Sequence, residues 1–498
     1  MSTTDDEPDV VVERSGMAAG TRWSLVSLVA KNLGRITFSV LLARMLGPEN
    51  FGIAAQATVY LAFAMVFLDF GVASTLIQRD RLDRRVIGTA TVINLGVVGL
   101  LVALTWALAG PVAAFFGTPE LVAVLQVLSA TLLFNGLAVV PGALLMRRMS
   151  FKLLGIAEVV GTFGGGLLGL AAALGGAGYW ALVAQTLSRD LLFLTLVLVV
   201  AGPPTFAWSR EAAASIAVFG RNVFGTQLLR FVAENADYVL ISWRFGATAL
   251  ANYSLSYRVL LLPVQTLGHT ANRLMFPSLS RLNEEPDRQA RYFEQATALL
   301  CMVVAPAMTL VALAAPGAVP IIFGSAWTGA VATMQILAVG AIVRVVLSIN
   351  PNALLAKGLP HWVFRWTLVS VPLQVLGFAV GLRWGIEGVA WSYLVVNIPL
   401  GVVSHLMVSR VIPVSHRRYA LGLAPALLGA GLMVATWRLA EQAVSSASAG
   451  GLAVLVLVAV ASYAAALYAV WLASRRTPAW HSRLEAQVDF VRRVAGRR

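Results

Sequence analysis

The chain has 498 residues and a formal net charge of +14, with 58% hydrophobic and only 12% charged residues and a mean hydropathy of +0.79. Soluble domains carry roughly 25% charged residues, so a water-soluble globular protein is excluded. Cys301, the single cysteine, excludes an internal disulfide and suggests no metal cluster, and the basic residues sit in short loops beside apolar runs, a membrane-insertion pattern and not a nucleic-acid stripe.

In chain order, residues 1–16 are acidic and unpatterned, without a basic segment leading into an apolar one, and read as a loose tail with no cleaved signal. Apolar runs of about 20 residues follow, each long enough for a ~30 Å hydrocarbon core. They predict spans near 22–45, 51–76, 86–110, 119–146, 152–174 and 178–200. A second set lies near 213–243, 250–276, 288–314, 328–356, 362–382 and 387–410, with a last pair near 419–441 and 450–473. The division is a tail (1–20), an N-lobe (21–208), a C-lobe (209–412), two extra spans (413–474) and a basic tail (475–498).

Loop charge tests the count. Alternate connections carry Arg79, Arg81, Arg84 and Arg85; Arg147, Arg148 and Lys152; Arg281, Arg288 and Arg291; Lys357; and Arg410, Arg417 and Arg418. The intervening connections carry no Lys or Arg, and only Arg44, Arg244 and Arg383, at helix ends, break the rule. The positive-inside bias then puts both termini in the cytoplasm of a fourteen-span chain.

The chain also repeats itself. The stretch 41–79, with a turn on Gly47-Pro48, is echoed at 240–268, where Arg44 and Gly47 are answered by Arg244 and Gly246. FFGTPELVAVLQVLSA (115–130) resembles IFGSAWTGAVATMQILAV (322–339), and PGALLMRRMS (from Pro141) resembles PNALLAKGLP (from Pro351). Six spans per unit make the repeat parallel, so the expected fold is an all-α polytopic membrane protein. It has two six-helix lobes around a central cleft, plus two additional C-terminal helices.

Several runs carry a family likeness: LARMLGPENFGIAAQATVYLAFAMVFLDFGVASTLIQR, VVPGALLMRRMSFK, GYWALVAQ, ADYVLISWRFGATALANYSLSYRVLLLP and RLMFPSLSRL. From Trp23 to about Arg410 the chain resembles the Wzx-type polysaccharide and lipopolysaccharide exporters of the multidrug/oligosaccharidyl-lipid/polysaccharide (MOP) flippase superfamily. The resemblance implies two lobes facing in a V. It implies a transporter, not an enzyme, that flips an undecaprenyl-pyrophosphate-linked oligosaccharide from the cytoplasmic to the outer leaflet of a bacterial plasma membrane. No cofactor is called for, and coupling to H+ or Na+ is left open. Membrane lipids and the lipid-linked glycan are the expected partners, nucleic acid is not, and a polymerase and chain-length proteins are candidate protein partners.

Such a task needs a water-filled cationic cleft, and charges inside a membrane are functional candidates by default. Lys31 and Arg35 stand four residues apart, on one helix face, with Asn32 nearby. In the seventh span Arg230, Glu234 and Asp237 recur at i, i+4 and i+7 and form one stripe. Arg273, Arg344 and the more peripheral Arg365 complete the basic set, and His269 is either a relay or a satisfied core histidine. Asn222, Gln227 and Gln265 suit either sugar hydroxyls or bonds across helices. Arg230 and Glu234 read equally as a pair that neutralises itself, Lys31, Arg273 and Arg365 as snorkelling cations, and Asp69 as a partner for a loop arginine. Gly161, Gly165 and Gly169 form a packing ladder. Pro141 and Pro351 suggest a bend shared by both lobes, and residues 478–498 read as a basic amphipathic helix on the inner leaflet.

Two other classes compete. A polytopic O-antigen polymerase or ligase needs a large extracytoplasmic loop for catalytic residues, whereas the outer loops here are short and nearly uncharged. A cation-coupled multidrug exporter of the same superfamily would favour carboxylates over the arginines found here.

Overall fold

The computed structural model describes residues 14–68, 72–79 and 82–475, and every regular element among them is helical. Helices α1 (Arg14–Leu68) and α7 (Arg210–Arg281) contain 55 and 72 residues. Straight helices of that size would measure about 80 and 110 Å, several times the membrane core. Each is instead two helices joined at one glycine, Gly47 with φ 69° and ψ 174°, and Gly246 with φ 79° and ψ −170°. A positive φ with ψ near 180° is essentially restricted to glycine. Pro48 follows Gly47 as the first residue of the new helix, where its missing N–H removes no bond. The connector expected at Gly47-Pro48 and its echo at Gly246 are thus the same backbone device, shortened to one residue.

The helix after Gly47 stops at Leu68, and a short α2 (Val72–Gln78) follows. Then come α3 (Arg84–Phe116), α4 (Leu121–Arg147), α5 (Phe151–Leu174) and α6 (Trp180–Ala201). Beyond α7 lie α8 (Pro286–Ile322), α9 (Val331–Leu347), α10 (Asn350–Ala356), α11 (Pro360–Gly381), α12 (Gly385–Ser409), α13 (His416–Ala440) and α14 (Ala449–Arg475). Among the described residues ten stretches are long and apolar enough to cross a bilayer. Two of them, Ser27–Leu68 and Pro360–Ser409, are 42 and 50 residues long, each the length of two crossings. Counted as two helices each, and with the two halves of α7, which lie outside the ten, they provide helices enough for the fourteen crossings expected. The surface agrees, because residues such as Val199 (76% exposed) and Leu428 (68% exposed) are satisfied by lipid and not by water.

The chain forms two compact units, which divide inside α7 between Phe231 and Val232. In the first, α5 lies along α6 because its glycine ladder leaves no side chain between them. A Cβ at Gly165 would sit 2.6 Å from the Gln185 carbonyl, and one at Gly161 2.9 Å from that of Arg189. In the second, α8 packs on α9 and α13, and α12 on α9 and α11. The added pair is fastened to α8. Glu294 pairs with Arg418 at 3.3 Å and accepts the Ser415 N–H at 2.9 Å, while the Tyr463 hydroxyl donates to the Met302 carbonyl at 2.8 Å.

The paired prolines require a correction. Pro141 lies inside an unbroken α4, whereas Pro351 opens α10 after the chain leaves α9 at Ser348–Ile349, so the two prolines do not hold equivalent places in their helices. The shared feature is the helix end. Met149 and Ser150 bond back to Met146 and Leu145 at 3.0 and 2.9 Å, and Gly358 and Leu359 to Leu355 and Leu354 at 2.9 and 3.1 Å. Both are Schellman caps. They align Met149 with Gly358, one residue away from the register that pairs the two prolines.

Candidate functional site

In the first unit the basic face of α1 is partly neutralised. Lys31 Nζ donates to Glu158 Oε2 of α5 at 2.5 Å, and the Arg35 guanidinium bonds Asn32 Oδ1 at 3.3 Å while staying exposed. Glu158 did not figure among the expected site residues, although a lone acid within an apolar run is visible in the sequence. The same holds for Asp190 on α6, which is buried between the Arg189 guanidinium at 2.7 Å and the Asn135 amide at 2.8 Å.

Some of the loop arginines support the fold. Arg147 donates to the carbonyls of Leu76, at 3.1 Å, and Arg79, closing the C-terminal end of α2. Arg79 in turn donates to Ser215 Oγ at 2.8 Å.

In the second unit the polar groups gather around Arg344. It stands in the last turn of α9, where a cation complements the helix dipole. Its Nη1 donates to the hydroxyls of Tyr257 and, at 3.3 Å, Tyr393, while the residue remains exposed. Tyr257 belongs to an aromatic group on α7, in T-shaped contact with Tyr238 (5.8 Å) and stacked on Tyr253 (6.3 Å). Tyr393 stacks on Phe378 at 6.3 Å. Asp237, only 4% exposed, accepts from the Tyr253 hydroxyl and the Tyr238 N–H, both at 2.9 Å.

The expected stripe on α7 therefore divides: Arg230 and Glu234 are exposed, whereas Asp237 is buried against tyrosines. Gln227 is half-buried in α7, and Arg365 is exposed on α11 without a partner among the described residues. The side chains of Asn222, Gln265, His269 and Arg273 fall outside the described ones, as do Asp69 and the whole of 478–498. Nothing in the sequence marked Tyr257 and Tyr393, since tyrosines are ordinary in apolar spans and these stand far from Arg344 along the chain.

The model of the polysaccharide biosynthesis protein family matches residues 41–332. Among curated relatives, the teichuronic acid biosynthesis protein TuaB of Bacillus subtilis is 25% identical, over 80% of this chain and 84% of that one. The lipopolysaccharide biosynthesis protein WzxC of Escherichia coli is 23% identical, over 82% and 84%. The succinoglycan biosynthesis transport protein ExoT of Rhizobium meliloti is 25% identical, over 75% and 76%. Among solved structures, the lipid II flippase MurJ superposes with a TM-score of 0.72 at 13% identity, over 90% of this chain and 98% of that one. A MATE multidrug transporter of the MOP superfamily gives 0.58 at 15% identity, over 78% and 98%. These two likenesses concern the fold, the polytopic all-helical fold expected. With the family model covering more than half of its length, this chain belongs to the polysaccharide biosynthesis protein family and is a multi-pass membrane protein.

Proposed function

We propose that this protein is a flippase for a lipid-linked oligosaccharide, carrying it from the cytoplasmic to the outer leaflet during surface polysaccharide synthesis. The observation that carries this reading is Arg344, an accessible guanidinium within an apolar stretch, with no ion-pairing carboxylate among the described residues. A cation so placed is costly and suits an anionic cargo. The relatives named for teichuronic acid, lipopolysaccharide and succinoglycan supply the cargo class. An undecaprenyl pyrophosphate carrier fits best, because its phosphates lose hydration on entry and need fork-shaped donors.

Lys31, Arg35 and Arg344 are the basic residues assigned to the substrate path, and Arg230 and Arg273 are further candidates for it. Glu234 and Asp237 are the acids assigned to a coupling step driven by H+ or Na+, if transport is coupled. The membrane is the bacterial plasma membrane, the loop arginines assign both termini to the cytoplasm, and a polymerase with its chain-length protein would receive the product.

The test is deletion in the native host, followed by treatment of right-side-out vesicles with an impermeant periodate reagent. Lipid-linked repeat units should accumulate on the cytoplasmic side, shielded from oxidation. Normal exposure of these units, together with a new sensitivity to cationic drugs, would favour the multidrug exporter.

A further inference from the structure

Arg344 is left with more donors than its neighbours can use. Nη1 spends its two N–H bonds on Tyr257 and Tyr393. Having accepted from the guanidinium, each hydroxyl still carries its own proton. Among the described residues neither proton meets an acceptor, and neither do Nε and Nη2 of Arg344. Three N–H and two O–H groups therefore surround one positive charge without a matching oxygen. Asp237, the acid of the same cluster, is already engaged by Tyr253 and Tyr238.

The donors are also held rigidly. Tyr393 is only 6% exposed and braced by Phe378, and Tyr257 is wedged among Tyr238 and Tyr253. The guanidinium is exposed while Tyr393 is buried and Tyr257 half-buried, so the surplus donors are open to a ligand from one side, and water meets them only one at a time. A group that only accepts, carries negative charge and has two or three oxygens meets them together.

We propose that Arg344, Tyr257 and Tyr393 form an oxyanion-binding site within the C-terminal unit, the two hydroxyls donating to the ligand directly. The flippase reading supplies the two sources of such an oxyanion, the phosphates of the lipid carrier and the carboxylate of an acidic sugar. The binding chemistry itself does not depend on that reading.

The test uses the full chain in nanodiscs, with farnesyl diphosphate, farnesol and glucuronate as probes and tryptophan fluorescence as the readout. Farnesyl diphosphate or glucuronate should bind, farnesol should not, and the probe that binds identifies the source. Tyr257→Phe and Tyr393→Phe should each weaken the binding about tenfold, the worth of a hydrogen bond to a charged group. Replacement of Tyr393 by 3-fluorotyrosine, at a pH where its hydroxyl stays protonated, reads the sign without changing the shape. Fluorination strengthens the hydroxyl as a donor and weakens it as an acceptor. Tighter binding therefore means donation to the ligand, and looser binding means that the hydroxyl only holds Arg344 and overturns the proposal. Equal binding of farnesol, no binding of either anion, or unchanged affinity in the double phenylalanine variant would overturn it too. Transport is not read here, so a binding failure beside intact flipping removes the site alone, and anion binding without flipping removes the cargo assignment alone.

Discussion

Asp237 Oδ2 accepts the hydroxyl proton of Tyr253 at 2.9 Å, and the two residues stand on opposite sides of the Gly246 break in α7. The bond ties together the two helices that the glycine separates. Tyr253 is fully buried, so nothing else is at hand to replace its hydroxyl. Tyr253→Phe should therefore leave a buried carboxylate oxygen unsatisfied and cost about 1–3 kcal/mol. The check is thermal unfolding of purified protein. Adding Asp237→Leu to Tyr253→Phe should recover part of the loss, because the stranded charge goes with it; a double variant less stable than the single would mean that Asp237 has a stabilising role besides this bond.

Lys31 and Glu158 are 127 residues apart and joined at 2.5 Å. Glu158→Leu alone leaves a lone ammonium within an apolar helix, whereas Lys31→Leu with Glu158→Leu leaves none. Membrane abundance of the double variant should exceed that of Glu158→Leu, as quantified by immunoblot of washed membranes. If the double variant is no more abundant, the pair contributes nothing beyond the separate side chains, as many exposed ion pairs do.

Met149 is the one non-glycine residue with positive φ among the described residues, at 55°, and its counterpart in the second unit is Gly358 at 73°. A side chain in the left-handed region costs roughly 1–2 kcal/mol, which glycine avoids. Met149→Gly should raise stability by about 1 kcal/mol once the greater freedom of the unfolded glycine is subtracted. The reverse change, Gly358→Met, should lower it by a similar amount in the same thermal assay. Stability that is indifferent to both changes would show that neither cap limits unfolding.

The fourteen-crossing topology can be read by labelling. With Cys301 replaced by serine, cysteines at Ala447, between α13 and α14, and at Glu284, before α8, occupy exposed connections. An impermeant maleimide added to intact cells should modify position 447 and leave position 284 unmodified until the membrane is opened. Labelling of both from outside would break the assignment drawn from the loop arginines.

The helices were legible because a membrane makes simple demands: an apolar run of sufficient length, and backbone hydrogen bonds closed within the segment. The break glycines were legible for a different reason. The conformation at Gly47 and Gly246 is restricted to glycine, so the duplicated backbone left a duplicated residue. The proline correspondence misled by one position, because sequence letters were aligned where the helix cap at Met149 and Gly358 sets the register.

The sequence by itself therefore determined the polytopic helical class and the duplicated glycine break, since both depend on local length, hydropathy and backbone freedom. The tertiary structure decided which charges are matched. Lys31 found Glu158, Asp237 parted from Arg230 and Glu234, and Arg344 came to rest on Tyr257 and Tyr393, which precede it by 87 residues and follow it by 49. Such meetings depend on how each helix is rotated about its axis and how deep it sits against its neighbours. Packing fixes both, through features such as the bare glycine face of α5 on α6, and hydropathy along one helix carries no record of either.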